Sequence, residues 1–350
     1  MDALITSPMS QGMTPDESSS TNPILLKMWR GSEVECWHRG AFCVVDGSGV
    51  VAGRGDPNQR VYVRSGAKFF QALANLKTGI AESYSLNERH LALMCASHGG
   101  EPEHVAVAEE ILRLGGLSPD ALQCGTHYPL HPKASGALRQ VGVPANVLHN
   151  NCSGKHGGML LAAKVKGEPI ESYLDPAHPR QVEMKNVFAQ FAGVSADRLG
   201  VYVDGCSAPT FATTLKAAAM AFRNFGCTKD IADGDTAERV AQLKGALRSQ
   251  PFLLGGSQRF CTDLIVASQG RVLGKVGAAG FYGAFHEELG LGVALHVDDG
   301  NADLAEGLMG RLLHHLGWID DQALLALARY CNPERTNHRG ILVGKSEALF

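Results

Sequence analysis

In "VYVRSGAKFF", residues 61–70, Ser65 and Lys68 stand three apart where a strand gives way to a helix. Phe69, Phe70, Ala72, Leu73 and Leu76 recur at helical spacing, so Ser65 falls near the helix start with its hydroxyl on the same face as the Lys68 amine. A serine becomes a nucleophile when a base takes its proton, and a neutral lysine can be that base. Burial and neighbouring cations must lower the lysine from about 10.4, and Arg64 and a second lysine can supply that field. The alternative is a serine N-cap followed by a surface lysine. A second lysine lies in Lys275-Val276-Gly277, on a late strand with Val272 and Leu273, where it needs a partner unless it sits on a solvated edge. "NNCSGKHGG" gathers Asn150, Asn151, Cys152, Ser153, Lys155 and His156 beside glycines at a helix start, and "VDGCSAP" sets Asp204 and Cys206 past a strand end. Two cysteines without a C-x-x-C spacing fall short of a structural zinc site, so spacing alone argues against a metal.

These residues need a framework. "AFCVVDGSGVVAGRGD" reads as a hairpin turning at Asp46-Gly47, followed by the helix from Ser65. Helices are expected in "SLNERHLALMCASHGG", in "EPEHVAVAEEILRLGG", from about Gly154 to Val165, and in "QVEMKNVFAQFAGV". "LGVYVDGCSAPTFATTLKAAAMAFRNFG" reads as a strand, a turn and a long Ala-rich helix. Strands in "GRVLGKVGAAGFYGAF" and "GLGVALHVDDG" precede the helix "ADLAEGLMGRLLHHLGW". An early hairpin, central helices and late strands suggest an α/β or α+β sheet whose first and last strands are neighbours. The chain has 350 residues, 45% apolar and 19% charged, with a net charge of −3, an ordinary soluble composition without the basic footprint of a nucleic-acid partner. No apolar run reaches membrane-spanning length. Residues 1–22 read as a flexible polar tail rather than a secretory signal, and the length of the rest allows one large domain or two intimately joined ones. Nine scattered cysteines, an odd number, favour free thiols in a reducing cytoplasm.

S-x-x-K at a helix start with K-x-G on a late strand is the layout of serine β-lactamases and penicillin-binding proteins. The larger set "RSGAK", "CASHGGEPEHV", "NNCSGKHGGML", "VDGCSAP" and "KVGAAG", running from about residue 25 to near the C-terminus, resembles the class 3, rhizobial-type L-asparaginases. The resemblance implies a sandwich of the serine β-lactamase and glutaminase type, with a mixed, mainly antiparallel sheet flanked by helices, working as a homodimer on L-asparagine. It implies two Ser–Lys tandems, Ser65 with Lys68 and Ser97 with Lys275. It also implies a Zn2+ site of Cys152, Lys155 and Cys206, which spacing alone does not anticipate. Arg64, His156 and Asp204 are expected on the substrate side. Such a zinc, with a position left open, would orient the substrate while a serine attacks. One departure stands out: the family commonly reads G-A-E-G where this chain has Gly277-Ala278-Ala279-Gly280.

Overall fold

A computed structural model describes residues 22–350. The tail expected over 1–22 lies outside them except for Asn22, which is buried: its amide donates to Gln59 Oε1 at 2.5 Å and to Asp298 Oδ1 at 3.0 Å.

Among the described residues eleven strands form, in chain order: β1 (Ile24–Arg30), β2 (Glu33–Val45), β3 (Val50–Arg54), β4 (Arg60–Tyr62), β5 (Gly200–Val203), β6 (Pro209–Thr214), β7 (Val272–Val276), β8 (Phe281–His286), β9 (Leu291–Val297), β10 (Arg335–Thr336) and β11 (Leu342–Ala348). The main sheet runs β10-β11-β1-β2-β9-β8-β7, with β3 on β2, and β4-β6-β5 make a small second sheet. The pairings are antiparallel. The first strand does lie beside the last, Leu26 opposite Ala348. The architecture is thus a mixed α/β fold built on an antiparallel sheet with helices on both faces. Among the described residues, no helix is long and apolar enough to cross a membrane.

Side-chain alternation along β8 shows how the layers meet. Phe281 and Phe285 pack against Phe222 and Phe225 of the helix Leu215–Gly226, with ring centroids 6.4 and 6.0 Å apart. Tyr282 points the other way, onto Phe260. Gly283 faces the first layer, where an added Cβ would come within 2.1 Å of the Phe222 ring. The helix Lys68–Leu76 is buried on all sides, and Phe69 and Phe70 tie it to Phe222, Phe225 and Phe188. This aromatic layer, rather than intrinsic helix propensity, fixes the helix that starts at Lys68.

Three details differ from the sequence reading. A 3-10 turn, Arg64–Ala67, precedes the α-helix, so Ser65 is not its N-cap; Ala67 is. "LGVYVDGCSAPTFATT" is a hairpin of β5 and β6, not one strand. "GRVLGKVGAAGFYGAF" likewise holds two strands, β7 and β8. In both cases the turn includes a non-glycine residue with positive φ, Ser207 at 67° and Ala279 at 58°, the latter followed by Gly280 at 80°. Composition signals such turns poorly.

Candidate active site

Ser97 ends the segment after the helix Glu88–Met94, and the "CASHGGEPEHV" motif builds its seat. The Ser97 amide donates to Leu254 O at 3.1 Å and the Gly99 amide to Gly255 O at 2.8 Å, sewing the segment to the Leu254–Arg259 loop. His98 Nε2 lies 3.0 Å from Ser153 Oγ, and the His98 ring stacks on His104, which stacks on Phe252. Glu101 accepts from the Ser257 amide at 2.7 Å and from the Ser257 hydroxyl at 2.8 Å. The glycines of "NNCSGKHGGML" serve packing: a Cβ on Gly154 would sit 2.5 Å from Leu93 O, so the helix Ser153–Lys166 can press against the Ser97 segment.

Both lysines converge on Ser97. Lys68 Nζ and Lys275 Nζ each lie 2.9 Å from Ser97 Oγ, and both lysines are almost fully buried. The expected pairing therefore changes: Lys68 reaches Ser97, not Ser65 three residues away. The packing of the helix Lys68–Leu76 aims the Lys68 side chain at Ala96 O, 2.5 Å away, and at Asn151 O, 3.4 Å away. The surface-lysine alternative fails on burial. Lys275 is on an edge strand, as its alternative required, yet it is sealed from solvent by the layer above it. Burial pushes its amine down to about 8, with Lys68 and Arg259 adding to the fall and Cys261 opposing it.

Ser65 lines the same cavity as Ser97, a space of about 690 Å³. Its hydroxyl has no hydrogen-bond partner among the described residues. Arg64 holds a φ of 48°, a conformation that costs a non-glycine residue about 1 kcal/mol. Its guanidinium is anchored on Asp204 Oδ1 at 2.5 Å, which offsets that strain. Gly277 completes the junction: a Cβ there would meet Val63 O at 2.4 Å, so only glycine lets the Ser65 turn rest on the end of β7. Ala278 also lines the cavity, while Ala279, where the family commonly has Glu, is exposed.

Cys152, Lys155 and Cys206 form a second buried group, with Lys155 Nζ 3.0 Å from Cys206 Sγ. Cys152 as hydrogen-bond partner, with Lys155 adding its charge, holds the Cys206 thiol far below its ordinary value; Cys152 is correspondingly raised. Burial opposes a charge on Lys155, but Cys206, Cys152 and Asp204 outweigh it and keep its proton on. Among the described residues, no three His, Cys, Asp or Glu side chains converge to hold a metal. A metal here would need the Lys155 amine as its third donor. Two soft sulfurs and a buried amine fit zinc in donor chemistry. His156 is fully buried beside this group; its Nδ1 meets the Tyr173 hydroxyl at 2.7 Å, while Nε2 finds no partner at bonding geometry. Arg64, Asp204 and His156 thus gather around the sulfurs, and the cavity at Ser97 has other walls.

Those walls hold residues that the motifs do not single out, chiefly Arg259 and Glu306. Glu306 did leave a signal. It falls on the apolar face of "ADLAEGLMGRLLHH", four residues after Ala302 and three before Met309. A carboxylate there is anomalous.

Solved structures similar to the chain include a putative β-lactamase from Bacteroides dorei, 14% identical over 79% of this chain and 93% of that one, TM-score 0.40. A β-lactamase from Mycobacterium bovis is 13% identical over 80% and 95%, TM-score 0.39. Mglu in its native form is 14% identical over 84% and 68%, TM-score 0.42. No match is found among curated proteins. The family model for L-asparaginase II matches residues 26–348, a span that takes in both lysines, both serines and the sulfur cluster. The chain belongs to the L-asparaginase II family, and so to the amidohydrolases.

Proposed function

We propose that the protein hydrolyses L-asparagine to L-aspartate and ammonia, with Ser97 as the nucleophile. The observation that carries this reading is one hydroxyl held 2.9 Å from two buried lysine amines. Lys68 has three acceptors, Ala96 O, Asn151 O and Ser97 Oγ, which suits an ammonium with three protons. Lys275 has two neighbours, Ser97 Oγ and Val276 O at 3.2 Å, which lets its neutral form, the minor one at pH 7, give one proton to the carbonyl and turn its lone pair to the hydroxyl. Lys275 is then the base, and Lys68 steadies the developing alkoxide.

Attack on the side-chain amide carbon forms a tetrahedral oxyanion. The Ser97 amide is committed to Leu254 O and cannot serve it, so the uncommitted Ser65 hydroxyl is the proposed donor. Lys275 returns its proton to the leaving nitrogen, ammonia departs, and water cleaves the acyl–Ser97 ester with the same lysine as base.

The same proposal includes Zn2+ held by Cys152, Lys155 and Cys206. When bound it would supply a Lewis acid that helps orient the aspartyl group of the substrate. Arg64, His156 and Asp204, which stand off the Ser97 cavity, would act on substrate from that side by holding the ligand set in place. It further includes a single catalytic domain over residues 23–350, a homodimer and a cytoplasmic location; all nine cysteines are free thiols, which accords with a reducing compartment.

Ammonia release tests the reading. The wild-type protein should act on L-asparagine, much less on L-glutamine, and not on a chromogenic β-lactam. Ser97→Ala should abolish turnover, and Ser65→Ala should lower kcat roughly 100-fold as an oxyanion donor does. Near-native turnover by Ser97→Ala refutes the assignment of the nucleophile.

A further inference from the structure

Glu306 and Arg259 are charged residues of the Ser97 cavity for which the fold itself offers no use. Glu306 is 9% exposed, and neither an ion pair nor a hydrogen bond to it exists among the described residues. A buried carboxylate without a partner is costly, and a glutamine or an aliphatic residue would fill the same place more cheaply. Arg259 is half-buried in the same cavity, and its side chain likewise has no ion pair or hydrogen bond among the described residues. The other buried cations near Ser97, Lys68 and Lys275, are committed to its hydroxyl.

The backbone under Arg259 is held in place. The Leu254–Arg259 loop takes the amides of Ser97 and Gly99 on its carbonyls, while Glu101 clamps Ser257. Gly256 at a φ of 109° and Gln258 at 58° make the turn that delivers Arg259 to the cavity. The Arg259 backbone is thus coupled to the same segment that presents the nucleophile. Asp303 and Arg329 also line the cavity, but both are exposed, where solvent and salt weaken their charge.

We propose that Glu306 and Arg259 read the two ends of an α-amino acid head group, Glu306 taking the α-ammonium and Arg259 the α-carboxylate. One buried anion and one cation, both uncommitted and both on the cavity of the nucleophile, complement a zwitterion. They discriminate against amides that carry one charge or none. Burial, with Asp303 adding to it, pushes the Glu306 carboxyl up to about 7 against the pull of Arg259 and Lys275; a bound ammonium ionises it and provides the missing partner. This deepens the asparaginase reading and rests on it for the identity of the reacting amide.

The test separates the two. Calorimetry on the full-length Ser97→Ala protein measures binding without turnover, using L-asparagine, succinamate (no α-amine) and 3-aminopropanamide (no α-carboxylate). L-Asparagine should bind roughly 10- to 100-fold more tightly than either analogue, the worth of one charged hydrogen-bonded contact. Adding Glu306→Gln should erase the preference over succinamate and keep that over 3-aminopropanamide. Adding Arg259→Gln should do the reverse, and Arg259→Lys should recover part of it. Equal weakening of all three ligands by either substitution overturns the proposal, as do an undiminished preference in both variants and failure of the Ser97→Ala protein to bind any of the three. The crossed pattern in these variants together with a wild-type protein that releases no ammonia would sink the hydrolytic reading and leave the head-group assignment standing. Circular dichroism and urea midpoints confirm that each variant is folded.

Discussion

Replacing Lys275 by methionine should abolish activity and make the protein more stable at neutral pH. The drop of the amine from 10.5 to about 8 corresponds, at 1.36 kcal/mol per pH unit, to about 3 kcal/mol of unfavourable burial. Methionine keeps most of the volume and removes that cost. Against this stand the contacts to Ser97 Oγ and Val276 O, worth about 1 kcal/mol each at most, with Lys68 still partnering the hydroxyl. A net gain of about 1–2 kcal/mol is expected at pH 7. The pH dependence identifies its origin. At pH 7 the lysine is protonated in both folded and unfolded chains, and only the folded chain bears the burial cost. Above 10.5 neither form is protonated and the cost is gone. Wild-type stability should therefore rise relative to the variant between pH 8 and 10.5. Urea unfolding of both proteins at pH 7 and pH 10.5 measures the difference, and titrating groups remote from Lys275 cancel in the comparison. A variant less stable at pH 7, or a gap that stays constant with pH, refutes the claim of a buried, depressed lysine. Loss of the base should also lower kcat/KM by roughly 10²–10⁴.

The pH–rate profile should rise about tenfold between pH 7 and pH 9, because the neutral fraction of a lysine near 8 grows by that factor. The two lysines share one hydroxyl, so the limb belongs to the pair; a rate flat over this range would exclude a lysine base. Glu101→Ala removes both acceptors from Ser257 and should destabilise the protein by about 2 kcal/mol while raising KM more than it lowers kcat, since it frees the loop under Arg259. Unchanged KM in stopped-time ammonia assays would detach that loop from substrate binding. Cys206→Ser should bring zinc from one equivalent per chain to below a tenth, measured by plasma emission after desalting; equal content in both proteins would remove the proposed ligand set.

Much of this site is legible in the sequence as chemistry, and less of it as geometry. The serines and lysines stand out because their types are unusual at a helix start and inside an apolar strand. Spacing pairs Lys68 with Ser65 because it reports only local neighbours. The real partner, 29 residues away, is chosen by how Phe69 and Phe70 dock the helix against Phe222 and Phe188. The same limit explains the hairpins hidden by Ser207 and Ala279. Each is a non-glycine residue at positive φ, held there by strand pairing rather than by its own preference. Glycines in the motifs carry a message that pattern matching does not decode. Gly154 and Gly277 leave room for the Leu93 and Val63 carbonyls, so that the elements around Ser97, Lys275 and Ser65 can touch. Glu306 shows the converse. It belongs to no motif, and a carboxylate among alanines, leucines and methionine breaks the helix's apolar face at one point only. Local rules predict an exposed glutamate, and the fold instead buries it against the nucleophile's cavity. Where a sequence violates the burial rule that the rest of its helix obeys, the violation has a cost in stability, and selection retains such a cost where a ligand repays it.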